Sequence, residues 1–225
     1  ERILQWFARF RDRQGTLSDV PGWGLVDWSS TYTDGRSSVL TALWVRALRE
    51  FADLSGAIGN EGSARRARHL RQSARAGFED FWDPARGLYL DRAPDGTSRS
   101  RATSQLASAC AILSGFAPRA RVPAIASRIS DPRRLVIRSW LWDGLKGFDG
   151  DALDTWMRGP AEPDWDVEAE IVRAQPFGLS LVHDALGEAG HIEGLLTSIR
   201  TWSGFLADGY DTFGEGWGWG TRAHG

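Results

Sequence analysis

Apolar residues recur at intervals of three and four along most of the chain, a spacing that predicts amphipathic helices. The clearest helix is expected over 36–55. Its apolar stripe consists of Leu40, Leu43, Trp44, Ala47, Leu48, Phe51 and Leu54. The same spacing predicts further helices over 3–14, 61–82, 102–115, 120–130, 176–186 and 191–206. The chain is therefore expected to be all-α, with one short strand or extended arm at 87–92.

The predicted helices are arranged largely as hairpins. Gly187 and Gly190 leave only a short turn between the last two helices, so these two must be antiparallel neighbours. The second of them is expected to bury Ile192, Leu195, Leu196, Ile199, Trp202 and Leu206. Successive hairpins suit an α/α toroid, and an amphipathic set of this kind equally suits a generic helix bundle. No repeat of fixed length is visible, which disfavours a solenoid.

Composition narrows the class of protein. The 225 residues are enough for one domain with a sizeable core, and the net charge of -2 gives no general attraction to nucleic acid or anionic membranes. No apolar run approaches the roughly 20 residues that a membrane helix needs. The single cysteine, Cys110, excludes an internal disulfide, and we expect a reducing, cytoplasmic location.

Metal and cofactor chemistry find no support in the sequence. The four histidines are not paired at metal-binding spacing, and no cysteine joins them. Nucleophile-elbow and Walker motifs are absent, and the glycines of 216–220 do not sit between a strand and a helix as a dinucleotide fingerprint would. We therefore predict no bound metal and no cofactor.

Carboxylates beside aromatic residues are the feature that points to a function. The pairs are Asp27-Trp28, Trp142-Asp143, Phe148-Asp149, Trp165-Asp166 and Glu215-Gly216-Trp217, in a chain with 12 tryptophans. A sugar ring packs its C–H face on an aromatic plane and bonds to carboxylates through its hydroxyls. Glycosidic cleavage also requires two carboxyl groups, one protonated and one charged. The pattern therefore predicts a carbohydrate site.

The segment 209–225 contains the best catalytic candidate. Glu215 stands between Gly214 and Gly216, whose lack of side chains lets the backbone approach a ligand. Large aromatic residues surround it in sequence, and His224 follows in the same segment. Aromatic walls would raise the pKa of a carboxyl group by desolvation. We therefore predict that Glu215 is catalytic.

The order of several motifs resembles the closing part of the catalytic domain of α-L-rhamnosidases, glycoside hydrolase family 78. The motifs are Val26-Asp27-Trp28, Phe81-Trp82-Asp83 with Gly87-Leu88-Tyr89 and Asp91, Gln175-Pro176-Phe177, His183 to Gly190, Ile199 to Trp202, Gly209 to Glu215, and His224-Gly225. The similarity covers nearly the whole chain except 131–166. One departure is Gly214, because the family usually has Trp before the motif glutamate.

The resemblance implies an (α/α)6 toroid that hydrolyses terminal α-L-rhamnosides with inversion. Glu215 would be the general base, and the family's general acid lies upstream of the segment that matches 1–14. Residues 1–225 would then be a single partial catalytic domain, truncated at both ends and inactive alone. The residues expected to contact the rhamnosyl substrate are Asp27, Trp28, Trp142, Asp143, Asp149, Trp217, Trp219 and His224.

Three alternatives remain open from the sequence. The first is another inverting glycosidase or lyase on the same toroid, acting on a different sugar. The second is a non-catalytic carbohydrate-binding module built of helix hairpins. The third is a plain helical interaction domain, which would bind no sugar.

Overall fold

The structure is a computed structural model that describes residues 1–22, 24–139, 162–217 and 219–222. The described residues are largely helical, as expected for an all-α chain. The helices are α1 (Arg2–Ala8), α2 (Ser38–Ala57), α3 (Glu61–Ser73), α4 (Arg75–Phe78), α5 (Gln105–Leu113), α6 (Val122–Ile129), α7 (Leu179–Glu188), α8 (Ile192–Arg200) and α9 (Ser203–Ala207), with 3-10 turns at Glu79–Phe81 and Ser98–Arg101. No helix of this described part is long and apolar enough to cross a membrane.

The strands are short and form three separate pairs. They are β1 (Trp82–Asp83), β2 (Leu88–Tyr89), β3 (Leu135–Val136), β4 (Ile171–Val172), β5 (Gly214–Gly216) and β6 (Trp219–Arg222). The β1–β2 and β5–β6 pairs are antiparallel, whereas β3 and β4 run parallel. The strand predicted at 87–92 corresponds to β2, but β3–β6 have no counterpart in the helical periodicity.

The core is built around α5, all of whose residues are buried. Helix α5 contacts α2, α6 and α7, while α3 packs against the opposite part of α2 and forms a hairpin with it. Three of the described helices, α2, α3 and α5, begin at a residue whose polar side chain caps them. Asn60 accepts a hydrogen bond from the N–H of Ser63 (3.2 Å), and Ser104 accepts one from the N–H of Ala107 (3.1 Å).

The first helix is shorter than the predicted 3–14, because α1 ends at Ala8. The side chain of Asp12 accepts hydrogen bonds from the N–H groups of Gln14 and Thr16, both at 2.9 Å. An aspartate that bonds to nearby backbone in this way favours a turn over a helix. The turn brings Arg11 and Leu17 into an antiparallel bridge.

The helix predicted over 61–82 is interrupted at Ala74. Gly77 in α4 lies so close to the backbone of Gln14 that a Cβ atom there would be 2.6 Å from the Gln14 carbonyl oxygen. Phe78 and Phe81 then enter the core, where Phe78 packs against Phe81 at a ring-centroid distance of 5.4 Å. The close backbone crossing requires glycine, and it lies next to the point where the predicted helix divides into α3, α4 and a 3-10 turn.

The predicted burial of the 191–206 helix is wrong for Ile192, Leu196, Ile199 and Leu206, which are exposed, whereas Leu195 and Trp202 are partly buried against the core. The segment forms two helices, α8 and α9, and Gly194 is the one buried residue of α8. Ile192 is 52% exposed and Leu206 is 72% exposed. Apolar spacing shows which side chains share a helix face, but it does not show whether another element covers that face.

Candidate active site

Glu215 lies in β5, the first strand of the β5–β6 hairpin. Gly214 pairs with Arg222 and Gly216 with Trp219, with an irregular register between the two pairs. The Glu215 residue is half-buried. A Cβ atom at Gly214 would come 2.9 Å from Cε1 of Phe205, so the ring of Phe205 occupies the space beside this position. The close packing accounts for a glycine where the resembling family usually has tryptophan.

Trp217 fastens this hairpin to the rest of the molecule. Its backbone N–H donates to Oε1 of Gln175 (2.9 Å), and its indole Nε1–H donates to the carbonyl of Ala174 (2.8 Å). The ring of Phe205 stacks on the indole at a centroid distance of 5.2 Å and an interplanar angle of 16°. Both hydrogen-bond donors of Trp217 are therefore used within the protein.

An aromatic cluster supports the hairpin from the side of α9. It consists of Trp202, Phe205, Tyr210, Phe213 and Trp217. The tightest contact is the edge-to-face pair of Trp202 and Phe213, with centroids 4.5 Å apart, and Phe213 remains 51% exposed. The helical spacing predicted Trp202 in a helix core, whereas in the structure its ring contacts Phe213 and Trp217, two residues to either side of Glu215 in the chain. The signal was the run of aromatics on both sides of Gly209.

Asp27 is buried and its carboxylate is bound by backbone groups. Oδ1 accepts the N–H of Trp28 (2.8 Å), and Oδ2 accepts the N–H of Gln175 (2.6 Å). Gly178, which precedes α7, approaches so closely that a Cβ atom there would be 2.6 Å from Oδ2. Burial raises the pKa of Asp27 above its usual value, against these backbone hydrogen bonds, which lower it. The side chain thus holds the turn that leads into α7.

Gln175 connects Asp27 to the Glu215 hairpin. It is fully buried, and its backbone N–H binds Asp27 while its side-chain oxygen binds Trp217. Its Nε2 also reaches the carbonyl of Arg138 at 3.4 Å. Two of the predicted site segments therefore meet at one buried glutamine, whose part in the site the sequence motif Gln175-Pro176-Phe177 did not indicate.

The segment after Asp27 is held by a second buried carboxylate. Asp91 accepts hydrogen bonds from the N–H (2.9 Å) and the hydroxyl (2.7 Å) of Ser104, and from the N–H of Tyr32 (3.2 Å). Complete burial raises the pKa of Asp91 to about 7, although its hydrogen bonds act in the opposite direction. Asp91 thereby ties the loop that carries Asp27 and Trp28 to the first turn of α5.

The remaining predicted contacts are described only in part. Trp28 is half-buried beside Asp27, and the backbone of Trp219 lies in β6. Trp142, Asp143, Asp149 and His224 lie outside the described residues. No group of three or more histidine, cysteine or acidic side chains in the described ranges could hold a metal ion. The substrate-binding roles of all these residues stay predictions.

The arrangement offers a half-buried carboxylate on a short strand, flanked by glycines and backed by aromatic rings. A carboxylate in such a place can accept a proton from a bound water molecule. The oxygens of Asp27 already accept backbone N–H groups, so its contribution is to position Gln175 and the start of α7.

Neither family models nor curated protein sequences match the chain. Solved structures do, and they identify the fold as one found in rhamnosidases. The chain superposes on the GH78 family rhamnosidase of Bacillus sp. GL1 with a TM-score of 0.65 and 22% identity, covering 91% of this chain and 18% of that one. It matches the rhamnosidase from Klebsiella oxytoca with rhamnose bound with a TM-score of 0.62 and 15% identity, covering 92% of this chain and 32% of that one.

These matches confirm the resemblance to GH78 rhamnosidases at the level of the fold. The chain spans about a fifth to a third of the length of the structures that it matches. The activity of the whole proteins is therefore a separate question from the shared fold.

Proposed function

We propose that this chain is part of the catalytic domain of a glycoside hydrolase that removes terminal α-L-rhamnosyl residues with inversion. The observation that carries the proposal is the position of Glu215. A fold shared with rhamnosidases presents this glutamate on a short strand that Trp217 fastens to the buried Gln175. The glutamate motif that resembles the family thus lies in a folded, well-anchored hairpin and not on an isolated tail.

Glu215 acts in this proposal as the general base. It takes a proton from a water molecule whose oxygen attacks the anomeric carbon from the face opposite the aglycone. The glycosidic C–O bond breaks, and a carboxylic acid elsewhere in the parent domain gives its proton to the leaving oxygen. Inversion requires the two carboxyl groups to stand roughly 6.5–9.5 Å apart, so that the water fits between them.

The sugar contacts follow from the same proposal. The rhamnosyl ring stacks on Trp28, Trp142 or Trp219, and its hydroxyls bond to Asp143, Asp149 and His224. Trp217 was also expected to contact the sugar, but Phe205 and Arg173 pack on its indole ring, so we assign it the support of the hairpin instead. We assign Asp27 a positioning role beside this ring, because backbone N–H groups bind both of its oxygens. Carbohydrate is the partner implied, with neither nucleic acid nor membrane involved and no cofactor required.

The described helices are proposed to be one part of an (α/α)6 toroid. The matched structures are several times longer than this chain, and α8 and α9 leave apolar residues such as Ile192 and Leu206 exposed. Covering these residues with further helix hairpins would complete the domain. We therefore expect no measurable rhamnoside hydrolysis by residues 1–225 alone, since the general acid lies in the remaining part.

The test uses the parent enzyme with an aryl α-L-rhamnoside as substrate. Glu215→Gln should lower kcat by about 10²–10⁴-fold, because the amide cannot accept the proton of water, while rhamnose binding should change little. The matched control is Glu193→Gln, an exposed glutamate of α8, which should leave kcat unchanged.

The outcomes separate the alternatives. An unchanged kcat in Glu215→Gln removes this residue from the mechanism. Faster turnover of aryl glucosides or glucuronides than of rhamnosides would assign the same fold to a different sugar. Rhamnose binding without any hydrolysis by the unmodified parent protein would indicate a non-catalytic binding module.

A further inference from the structure

A recess separate from Glu215 opens between α5, α6, β3 and the α7–α8 hairpin. It has a volume of about 110 Å³, well above the roughly 10–15 Å³ that one water molecule needs. Apolar walls are supplied by Leu135, Ile137 and Leu186, and hydroxyl groups by Ser130 and Thr201. The space suits a ligand of a few non-hydrogen atoms that has both an apolar and a polar end.

Arg173 supplies the charge of this recess. Of the described residues that line it, Arg173 alone is charged. The guanidinium carbon lies 3.9 Å from the ring centroid of Trp217, and Nη2 donates to the hydroxyl of Thr201 at 2.6 Å. Burial lowers the pKa of Arg173 to about 10, and no described carboxylate forms an ion pair with it. Within the described chain the guanidinium contacts an aromatic ring and a hydroxyl, both of them neutral groups.

Two other partly buried arginines, in contrast, form ion pairs with carboxylates. Arg138, which follows β3, has its Nε 3.2 Å from Asp164, and Arg86 has its Nε 2.8 Å from Asp83. Partly buried arginines normally find a carboxylate in this way, because an unpaired charge is costly away from water. Among the described residues no carboxylate pairs with Arg173, and its side chain lines a recess with room for one.

We propose that this recess binds a small aliphatic carboxylate, with Arg173 as its anchor. A guanidinium has five N–H donors in a planar fork that matches a carboxylate, and one contact to Thr201 leaves others available. The apolar walls suit a short alkyl chain and disfavour a strongly hydrated ion such as inorganic phosphate. The hydroxyl of Ser130 is held by Nε2 of His191 at 3.0 Å, which fixes the polar rim.

The test is a titration of this chain with sodium propionate at constant ionic strength, followed by tryptophan fluorescence and by Tm. We expect saturable binding in about the millimolar range, since a few-atom ligand making one charged contact reaches no higher affinity. Propionate should raise Tm more than equimolar chloride or inorganic phosphate. Arg173→Met should weaken propionate binding at least about tenfold, whereas Arg200→Met, an exposed arginine of α8, should bind within twofold of the unmodified chain.

A second variant keeps the proposal testable if Arg173→Met fails to fold. Thr197 lies at the open side of the recess, and Thr197→Phe should narrow it and weaken propionate binding without altering Arg173. The proposal is overturned if propionate and phosphate act equally, or if no saturable binding occurs. Unchanged affinity in Arg173→Met, or in Thr197→Phe where only that variant folds, would overturn it as well. Propionate binding and Tm are measured without any rhamnoside substrate, so they test this proposal separately from the role of Glu215, although Arg173 also contacts Trp217 of the Glu215 hairpin.

Discussion

Helices α5 and α8 are both amphipathic or apolar in sequence, yet they have opposite environments. Every residue of α5 is buried between α2, α6 and α7, whereas α8 buries Gly194 and packs mainly on α7. The side of the molecule around α5 therefore has a continuous core. The side with α8, α9 and the Glu215 hairpin depends on an aromatic cluster and on a few hydrogen bonds through Gln175.

The largest effect is expected from a cavity at the centre of the α5 core. Leu106 is fully buried, so Leu106→Ala should lower the free energy of unfolding by about 2–5 kcal/mol. Leu206→Ala, at an exposed position of α9, should change it by no more than about 0.5 kcal/mol. Urea unfolding of both variants measures the difference. Equal losses would mean that the two sides are stabilised alike.

A smaller effect is expected at the junction of the two sides. Gln175→Leu removes the acceptor of the Trp217 N–H and should cost about 1–3 kcal/mol. The loss should be concentrated in the Glu215 hairpin, so limited proteolysis within 209–216 should accelerate more than global unfolding does. Gln72→Leu, on the exposed surface of α3, is the matched control. If the segment 209–216 of Gln175→Leu were cleaved no faster than that of the unmodified chain, Gln175 would not anchor the hairpin.

The third effect, the smallest when it is counted per pH unit, concerns the pH dependence of the α5 side. The pKa of Asp91 is about 7 when folded and near 3.8 otherwise, so the folded state holds the extra proton between these values. Its contribution to stability is complete below about pH 4 and is lost as the pH rises through 7, with a slope of at most about 1.4 kcal/mol per pH unit.

Replacement of the carboxyl group tests this sign. Asp91→Asn should remove that slope, which is obtained as the difference between the unfolding curves of variant and unmodified chain from pH 4 to 8. Asp53→Asn, on the exposed side of α2, should leave the slope in place. The assignment would be contradicted if the free energy of unfolding of the unmodified chain, relative to Asp91→Asn, rose with pH. It would also be contradicted if the two proteins had the same pH dependence.

The sequence predicted the helices of the α5 side well, because the regularly spaced apolar residues of these helices are buried in the structure. Helices α2, α5 and α6 lie within the ranges expected to be helical apart from one or two residues at an end. The prediction from sequence failed where tertiary contacts decide the structure. The exposure of α8 depends on which elements cover it, and the break before α4 lies where the backbone of Gly15 packs against Ser73.

The candidate site was predicted in part. Glu215 and its aromatic neighbours stand out locally because glycines and large rings alternate there. The hydrogen bond between Asp27 and Gln175 joins residues 148 positions apart, and no local pattern indicates it. The β5–β6 hairpin was also missed, since its glycine-rich strands lack the branched residues typical of β-structure.

The most direct test of the proposed role of Glu215 is chemical rescue in the parent enzyme. In Glu215→Gly the base is gone and space is left where water is activated, so added azide, which needs no base, should restore turnover of an aryl α-L-rhamnoside. The account predicts β-L-rhamnosyl azide, the inverted product, identified by NMR. Absence of acceleration by azide, or a product that retains the α configuration, would contradict it.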